Sequence, residues 1–245
     1  MFERPHHRQI ARVLEALDGG LLRQCSCFFG GGTAIALLHG EFRESVDVDF
    51  LVSDRQGYRH LRTLMAGAAG FGALLKGTAA GLEQARDVRI DQYGIRTVLL
   101  LDGTPIKFEI VHEGRIELEL PGTGDAVLGI STLTGADLVA SKLLANSDRW
   151  RDDSVFSRDV IDLAMMSPTL PMFRRALAKS AAAYGDAVIN DLGRALEALA
   201  QRPGRLQQCM DALAITLPSA LLQQRLRVLR RRVERQKGRE GDGGD

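Results

Sequence analysis

Three successive glycines, Gly30-Gly31-Gly32, followed by Thr33 and the apolar stretch Ala34–Leu38, constrain this chain more than any other segment. A backbone without Cβ atoms can approach a ligand closely and can take φ > 0. Because Thr33 opens a stretch of helical length, the glycines fall where a helix N-terminus presents free N–H groups, a setting that suits an anion. After a polar turn, Val46-Asp47-Val48-Asp49-Phe50-Leu51-Val52 is rich in β-branched residues and reads as a strand. Alternation along a strand puts Asp47 and Asp49 on one face and Val46, Val48 and Phe50 on the other. Two carboxylates so placed repel each other unless something positive lies between them. A hard divalent ion does this, and Mg²⁺ typically takes one or two carboxylates plus substrate phosphates. An anion cradle followed by a carboxylate pair therefore points to a metal–nucleoside triphosphate site. An isolated Asp-x-Asp would fit a surface hairpin with its acids in solvent; the glycine run weighs against that alternative.

Composition narrows the class further. At 245 residues the chain is one large domain or two modest ones, and with 45% hydrophobic and 26% charged residues it is ordinary globular material. A net charge of +1 means that any basic surface is local. No apolar run approaches bilayer length, and Met1–His7 lacks a signal-peptide core, so no membrane association and a cytoplasmic location are expected. Cys25, Cys27 and Cys209 make neither a disulfide framework nor a zinc pattern and read as small buried hydrophobes.

Gly31-Gly32-Thr33-Ala34, the helix after it, and Arg43-Glu44-Ser45-Val46-Asp47-Val48-Asp49-Phe50 together resemble the polymerase β-type nucleotidyltransferase superfamily. Within it they resemble the abortive-infection toxins of AbiEii type. The resemblance implies an α+β fold: a polymerase β-like nucleotidyltransferase domain with a small mixed sheet, followed by an all-α helical domain. It also implies that Gly31, Gly32 and Thr33 hold the β- and γ-phosphates and that Asp47 and Asp49 bind Mg²⁺ or Mn²⁺. Arg43 and Ser45 read as braces of the hairpin.

Helical period over His7–Leu22, with Ile10, Val13, Leu14 and Leu17 apolar, predicts a helix closed by Asp18-Gly19-Gly20. Tyr58–Leu75 is helical again, with Ser53-Asp54 ahead of it as a cap. Val88–Leu101 reads as extended chain with a bulge or turn at Gly94. Asp102-Gly103 is a hairpin signal leading into a strand at Thr104–His112, and Ile116–Leu120 reads as a further strand. In the Thr104–His112 strand, Ile106, Phe108 and Ile110 face one way and Lys107, Glu109 and Val111 the other. In the superfamily a third acid comes from a neighbouring strand, and Glu109 is placed to be it, joining Asp47 and Asp49 if a second metal is present. The alternative is a solvent-facing Glu on an amphipathic strand.

From Thr132 onward Ala, Leu and Arg dominate and the periods are helical, which sets domains at 1–130 and 131–237 with a disordered tail at 238–245. Leu133–Ala145 reads as a helix capped by Thr134, with Lys142 on or beside its apolar face, where a lysine needs an anion or a route to water. Phe156–Met166 opens another helix, with Asp159 and Asp162 on one face. The pattern Leu138-x-x-x-Lys142-Leu143, then Arg158-Asp159-x-x-Asp162-Leu163, resembles the downstream motifs of the same toxins. By that resemblance Lys142 contacts the triphosphate, Asp159 helps activate the attacking group or orders the site, and Asp162 holds Arg158 or Lys142. The last helix carries Arg230, Arg231 and Arg232 among other basic residues, either an RNA-contacting cluster or a solubilising helix end.

The resulting expectation is a nucleotidyltransferase that uses a nucleoside triphosphate and acts on an RNA hydroxyl, particularly a tRNA 3′ end, under control of an antitoxin. Rival readings are transfer to a small-molecule or protein hydroxyl, and a non-catalytic nucleotide- or antitoxin-binding module of the same fold.

Overall fold

The computed structural model describes residues 2–77 and 79–241, with side chains through 238. Its contacts divide into two compact units, Met1–Thr134 and Gly135–Asp245. The first is α+β and the second is helical throughout its described residues.

In the first unit Pro5 sits in the opening turn of α1 (Pro5–Ala16), where its missing N–H costs nothing, and Ile10, Val13 and Leu14 form the buried stripe. Asp18-Gly19-Gly20 ends this helix as expected, but Asp18 also caps a second one, α2 (Gly19–Gln24), by accepting the Leu21 N–H at 2.9 Å. There follow β1 (Cys27–Phe29), α3 (Gly31–Leu38), β2 (Val48–Val52) and α4 (Arg55–Met65), the last capped by Asp54. A 3₁₀ turn at Gly70–Leu74 precedes β3 (Leu82–Gln84), β4 (Arg89–Ile90), β5 (Gly94–Leu101) and β6 (Thr104–His112). Short strands β7 (Ala126–Val127) and β8 (Ile130–Ser131) pair only with each other among the described residues.

The main sheet is mixed, in the order β1-β2-β6-β5-β3 with β4 beside β5; β2 and β6 run parallel and the other pairs antiparallel. The β5–β6 turn has Asp102 and Gly103 both at positive φ, as an Asp-Gly hairpin requires. The expected strand at Ile116–Leu120 does not form. That segment runs as irregular chain, and the Leu118 N–H bonds the Ser53 hydroxyl at 2.9 Å instead of a neighbouring strand.

One face of the sheet is the core: Val48, Phe50, Ile95, Leu99, Ile106, Phe108 and Ile110 are fully buried. Phe29, Phe50, Phe108 and Phe71 form a chain of ring contacts at 4.9–5.7 Å between centroids. Alternation then sends Asp49, Lys107 and Glu109 to the opposite face.

In the second unit α5 (Gly135–Arg149) packs against α6 (Arg158–Met166), α7 (Leu170–Tyr184) and α8 (Ala187–Gln201), so apolar residues occur on nearly every side of it. Then come α9 (Arg205–Ala212) and α10 (Ser219–Gly241), which buries Leu222, Leu229 and Val233. This last helix continues through Gly241, past the domain end expected at 237 and into the first residues of the expected tail; residues 242–245 of that tail lie outside the described residues. All three cysteines are buried thiols. Among the described residues no helix is long and apolar enough to cross a membrane.

Gly57, on the buried side of α4, lies so close to the Cys25 carbonyl that a Cβ there would overlap its oxygen. A Gly57→Ala variant is expected to cost at least the ~1–3 kcal/mol of ordinary overpacking, since backbone rather than a mobile side chain must give way. A lowered urea midpoint measures it.

Candidate active site

The glycine turn and the two aspartates are tied together through backbone atoms. The Gly30 N–H donates to the Asp49 carbonyl at 2.9 Å. The Thr33 hydroxyl donates to the Asp47 carbonyl at 2.5 Å and shares a second hydrogen bond, 2.9 Å long, with the Ser45 hydroxyl. Asp49 is the second residue of β2, while Asp47 stands one residue before the strand. Gly31 and Gly32, expected ahead of the helix, form its first turn, with Gly30 as an N-cap that offers no side chain. Gly31 has φ +68°, and a Cβ there would lie 2.8 Å from the Asp49 Cβ and overlap its carboxylate. The carboxylate of Asp49 therefore rests against the first turn of α3, where N–H groups and the positive end of the helix dipole face outward.

Thr33 is fully buried and engaged by Asp47 and Ser45, so its side chain braces the turn instead of presenting itself to a phosphate. Arg43 is buried too. It bonds the Glu44 carbonyl at 2.8 Å, and its guanidinium fills the space that a side chain at residue 32 would need. Reading the sequence missed one brace. His7 on α1 is wholly buried, with Nδ1 2.8 Å from Glu41 Oε1 and Nε2 accepting the Ser45 N–H at 3.2 Å. An acceptor Nε2 requires a neutral ring with its proton on Nδ1. Burial is the main influence and holds the His7 pKa below its ordinary value, although Glu41 opposes this. In sequence, a histidine two residues after a proline carries no mark of such a role.

Glu109 stands beside Asp49 in the β2–β6 register and on the same face, as the alternation predicted. It does not stand there as an unengaged ligand. Arg96, its partner across β5–β6, donates from Nε at 2.6 Å, and the Lys107 ammonium lies 3.2 Å from its other oxygen. Among the described residues, no group of three or more His, Cys, Asp and Glu side chains is placed to hold a metal ion. Asp47 and Asp49 alone, beside a helix N-terminus, match the one or two carboxylates that Mg²⁺ takes when phosphates complete its shell. Lys107 was legible only as a neighbour of Glu109. Burial opposes its charge, but Glu109, then Asp47 and Asp49, outweigh this and raise its pKa.

In the helical unit Lys142 is buried, and its ammonium bonds Asp159 at 3.0 Å and Asp162 at 2.8 Å. Asp162 thus holds Lys142, one of the two partners the motif implied for it. Arg149 adds a bidentate contact to Asp159 at 2.7 and 2.9 Å. Although burial disfavours its charge, Lys142 and Arg149 hold the Asp159 carboxyl far below the ordinary carboxylate range. Arg230, Arg231 and Arg232 follow one another on α10, so helical rotation spreads them around the helix instead of stacking them on one stripe. Arg230 pairs with Glu234 at 3.1 Å, Arg231 is exposed, and Arg232 is half-buried.

A sequence profile of the AbiEii nucleotidyl transferase toxins, of type IV toxin–antitoxin systems, matches residues 12–235. The chain belongs to the AbiEii family. No curated protein matches it. Among solved structures, JHP933 from Helicobacter pylori covers 100% of both chains at 14% identity with a TM-score of 0.53. A second H. pylori protein, described as a nucleotidyltransferase, covers 94% of this chain and 95% of its own at 14% identity, with a TM-score of 0.48. At such identity the JHP933 likeness concerns the fold alone.

As an AbiEii protein the chain is a nucleotidyltransferase with a nucleoside triphosphate substrate, and its family places it opposite an antitoxin. The match runs through both units, so the glycine turn, the aspartates and the Lys142 cluster all lie inside the AbiEii region.

Three outcomes are expected. Gly31→Ala should abolish nucleotidyl transfer while leaving circular dichroism intact, because the strained φ and the overlap with Asp49 disturb the site locally. Lys142→Met should lower stability by about 3–5 kcal/mol in urea titration, since Asp162 is left buried with its ion-pair partner removed. With its folded pKa depressed, His7 stays neutral where the unfolded chain binds a proton, below about pH 6.5. Stability should therefore fall as pH drops through that value, and a His7→Gln variant should show a flatter profile between about pH 7.5 and 5.5.

Proposed function

We propose that this chain moves a nucleoside monophosphate from a nucleoside triphosphate to an acceptor hydroxyl at the 3′ end of tRNA, using Mg²⁺ or Mn²⁺ held by Asp47 and Asp49. One observation carries the reading: the backbone carbonyls of both aspartates are bonded to the glycine turn and its threonine, and the Asp49 carboxylate lies against the first turn of the helix. Gly31 and Gly32 offer N–H groups to the β- and γ-phosphates, and the missing Cβ atoms let the phosphate come close. A divalent ion bound at the aspartates would offset the charge of the triphosphate and of the transferring group. Phosphoryl transfer asks little covalent work of a protein, so what this chain supplies is placement. Thr33, Ser45, Arg43 and His7 fix the turn that carries Asp47, and Gly30 fixes the strand that carries Asp49.

Lys142 and Asp159 enter the proposal through the motif resemblance alone. The choice of RNA as acceptor rests on the family and on the basic face of α10, where Arg231 is exposed. The antitoxin that the family implies would be the cognate controller. Cytoplasmic action follows from the same reading, since nucleoside triphosphates and tRNA are found there.

The test is incubation of the purified chain with Mg²⁺, total tRNA and each α-labelled nucleoside triphosphate, in parallel with Asp49→Ala, Lys142→Ala and Asp159→Asn. Label should enter tRNA with the unaltered chain and fall by at least about 10³-fold with Asp49→Ala. Label on protein or on a small molecule would move the acceptor to another class, and equal labelling by Asp49→Ala would remove the metal reading.

A further inference from the structure

The polar face of the sheet is an ordered charge array. Reading across β2, β6 and β5, one row holds Asp49, Glu109 and Arg96. Carrying the β2–β6 register one residue back from Val48–Phe108 places Asp47 opposite Lys107, whose β5 neighbour is Val98. Asp47 and Glu109 each have a base directly across from them, in Lys107 and Arg96, and Lys107 stands next to the first of the two proposed metal ligands, diagonal to the second.

Glu109 is held from both sides. Arg96, which also bonds Asp91 at 3.0 Å in the turn ahead of β5, donates to one oxygen, and Lys107 takes the other. With two cations on one carboxylate, little negative charge is left to attract a divalent ion. Glu109 is mostly covered, its side chain 15% exposed, whereas the Lys107 side chain is 52% exposed and open to a ligand. An exposed lysine would ordinarily sample many rotamers; its ion pair with Glu109, together with the attraction of Asp47 and Asp49, draws this one toward the aspartates.

We propose that Lys107 is a substrate-contacting residue that faces the triphosphate with a permanent positive charge, where a second divalent ion would otherwise be needed, and that Glu109 is a positioning residue for it and not a metal ligand. Asp47 and Asp49 then take one ion only. The inference rests on the Asp47–Asp49 reading above and departs from the expected third-carboxylate role of Glu109. No proton moves in it: the ammonium acts as a charge, attracting phosphate oxygens and limiting how much divalent charge the pair accepts.

Mn²⁺ binding, followed by electron paramagnetic resonance with and without a non-hydrolysable nucleoside triphosphate analogue, tests this without turnover. The unaltered chain with analogue should bind one Mn²⁺, and Glu109→Gln should keep that count. Lys107→Gln should bind Mn²⁺ about tenfold tighter in the absence of nucleotide, because a repelling charge is gone. It should also hold the analogue about tenfold more weakly, whereas Lys107→Arg should restore nucleotide affinity. Two bound ions, one of them lost in Glu109→Gln, would make Glu109 a ligand and overturn the inference. Unchanged Mn²⁺ and analogue affinities in Lys107→Gln would overturn it as well. Asp49→Asn separates the two levels: if it leaves Mn²⁺ binding intact, the underlying metal reading fails, whereas loss in Asp49→Asn with no effect in Lys107→Gln defeats this inference alone.

Discussion

Two hydrogen bonds to backbone carbonyls govern the first unit. Gly30 reaches the carbonyl of Asp49, and Thr33 reaches that of Asp47, so a helix start and a strand start are joined at the two residues whose carboxylates matter. Side-chain contacts alone would leave the acids free to rotate away from the helix end. Capture of their main chain fixes where both Cβ atoms point, and the absence of a Cβ at Gly31 leaves room for Asp49 to lie against the turn. The surrounding braces then become intelligible. Ser45 and Arg43 fill the space behind the turn, and His7 holds the Ser45 amide from α1, so a helix remote in sequence sets the approach to β2. A neutral histidine suits this task because it can donate on one side and accept on the other, which no cation can.

The protein handles its covered charges in two ways. On the sheet's polar face, Asp49, Glu109, Arg96 and Lys107 lie side by side, and Glu109 sits between two bases and is partly open to water. Such pairs contribute modestly to stability and chiefly determine which way the side chains point. In the helical unit, Lys142, Asp159 and Asp162 lie deep among α5 and α6, where the ammonium is the charge both carboxylates share and its removal takes an ion pair from each. The first arrangement tolerates substitution and shapes a surface; the second couples two helices so that neither can shift without exposing a buried charge.

Much of this was legible. The α+β class and the family followed from one stretch of about twenty residues, because glycines, a helical apolar run and a period-two acid pair each carry their own physical signature. The strand at Thr104–His112 was readable for the same reason: its alternation is complete, and Asp102-Gly103 fixes its start. What was not legible was partnership. Whether Glu109 meets a metal or a lysine depends on Arg96 and Lys107, and only register brings these together. Thr33 looks like a phosphate contact by position, yet its hydroxyl turns inward to a carbonyl fourteen residues on. His7 had no signal at all, since a buried imidazole is recognised by the groups around it and those come from 34 and 38 residues away. The failed strand at Ile116–Leu120 has a related cause. Its apolar residues match the pattern, but a strand exists only if a neighbour offers a ladder, and the Leu118 amide finds the Ser53 hydroxyl first.

The charge array also bears on how a small fold can do phosphoryl transfer. The developing negative charge must be met by positive charge already in place, and a lysine locked by a carboxylate meets it without being gathered from solution. A second divalent ion would offer more charge, but its occupancy depends on ion concentration and on a third carboxylate left unneutralised. Here that third carboxylate is turned to a different use. Arg96 and Lys107 convert Glu109 from an attractor of cations into the fixed point against which Lys107 is aimed. In the proposed arrangement the polar face keeps the electrostatic function of a richer metal site while needing only the two aspartates that the glycine turn already holds.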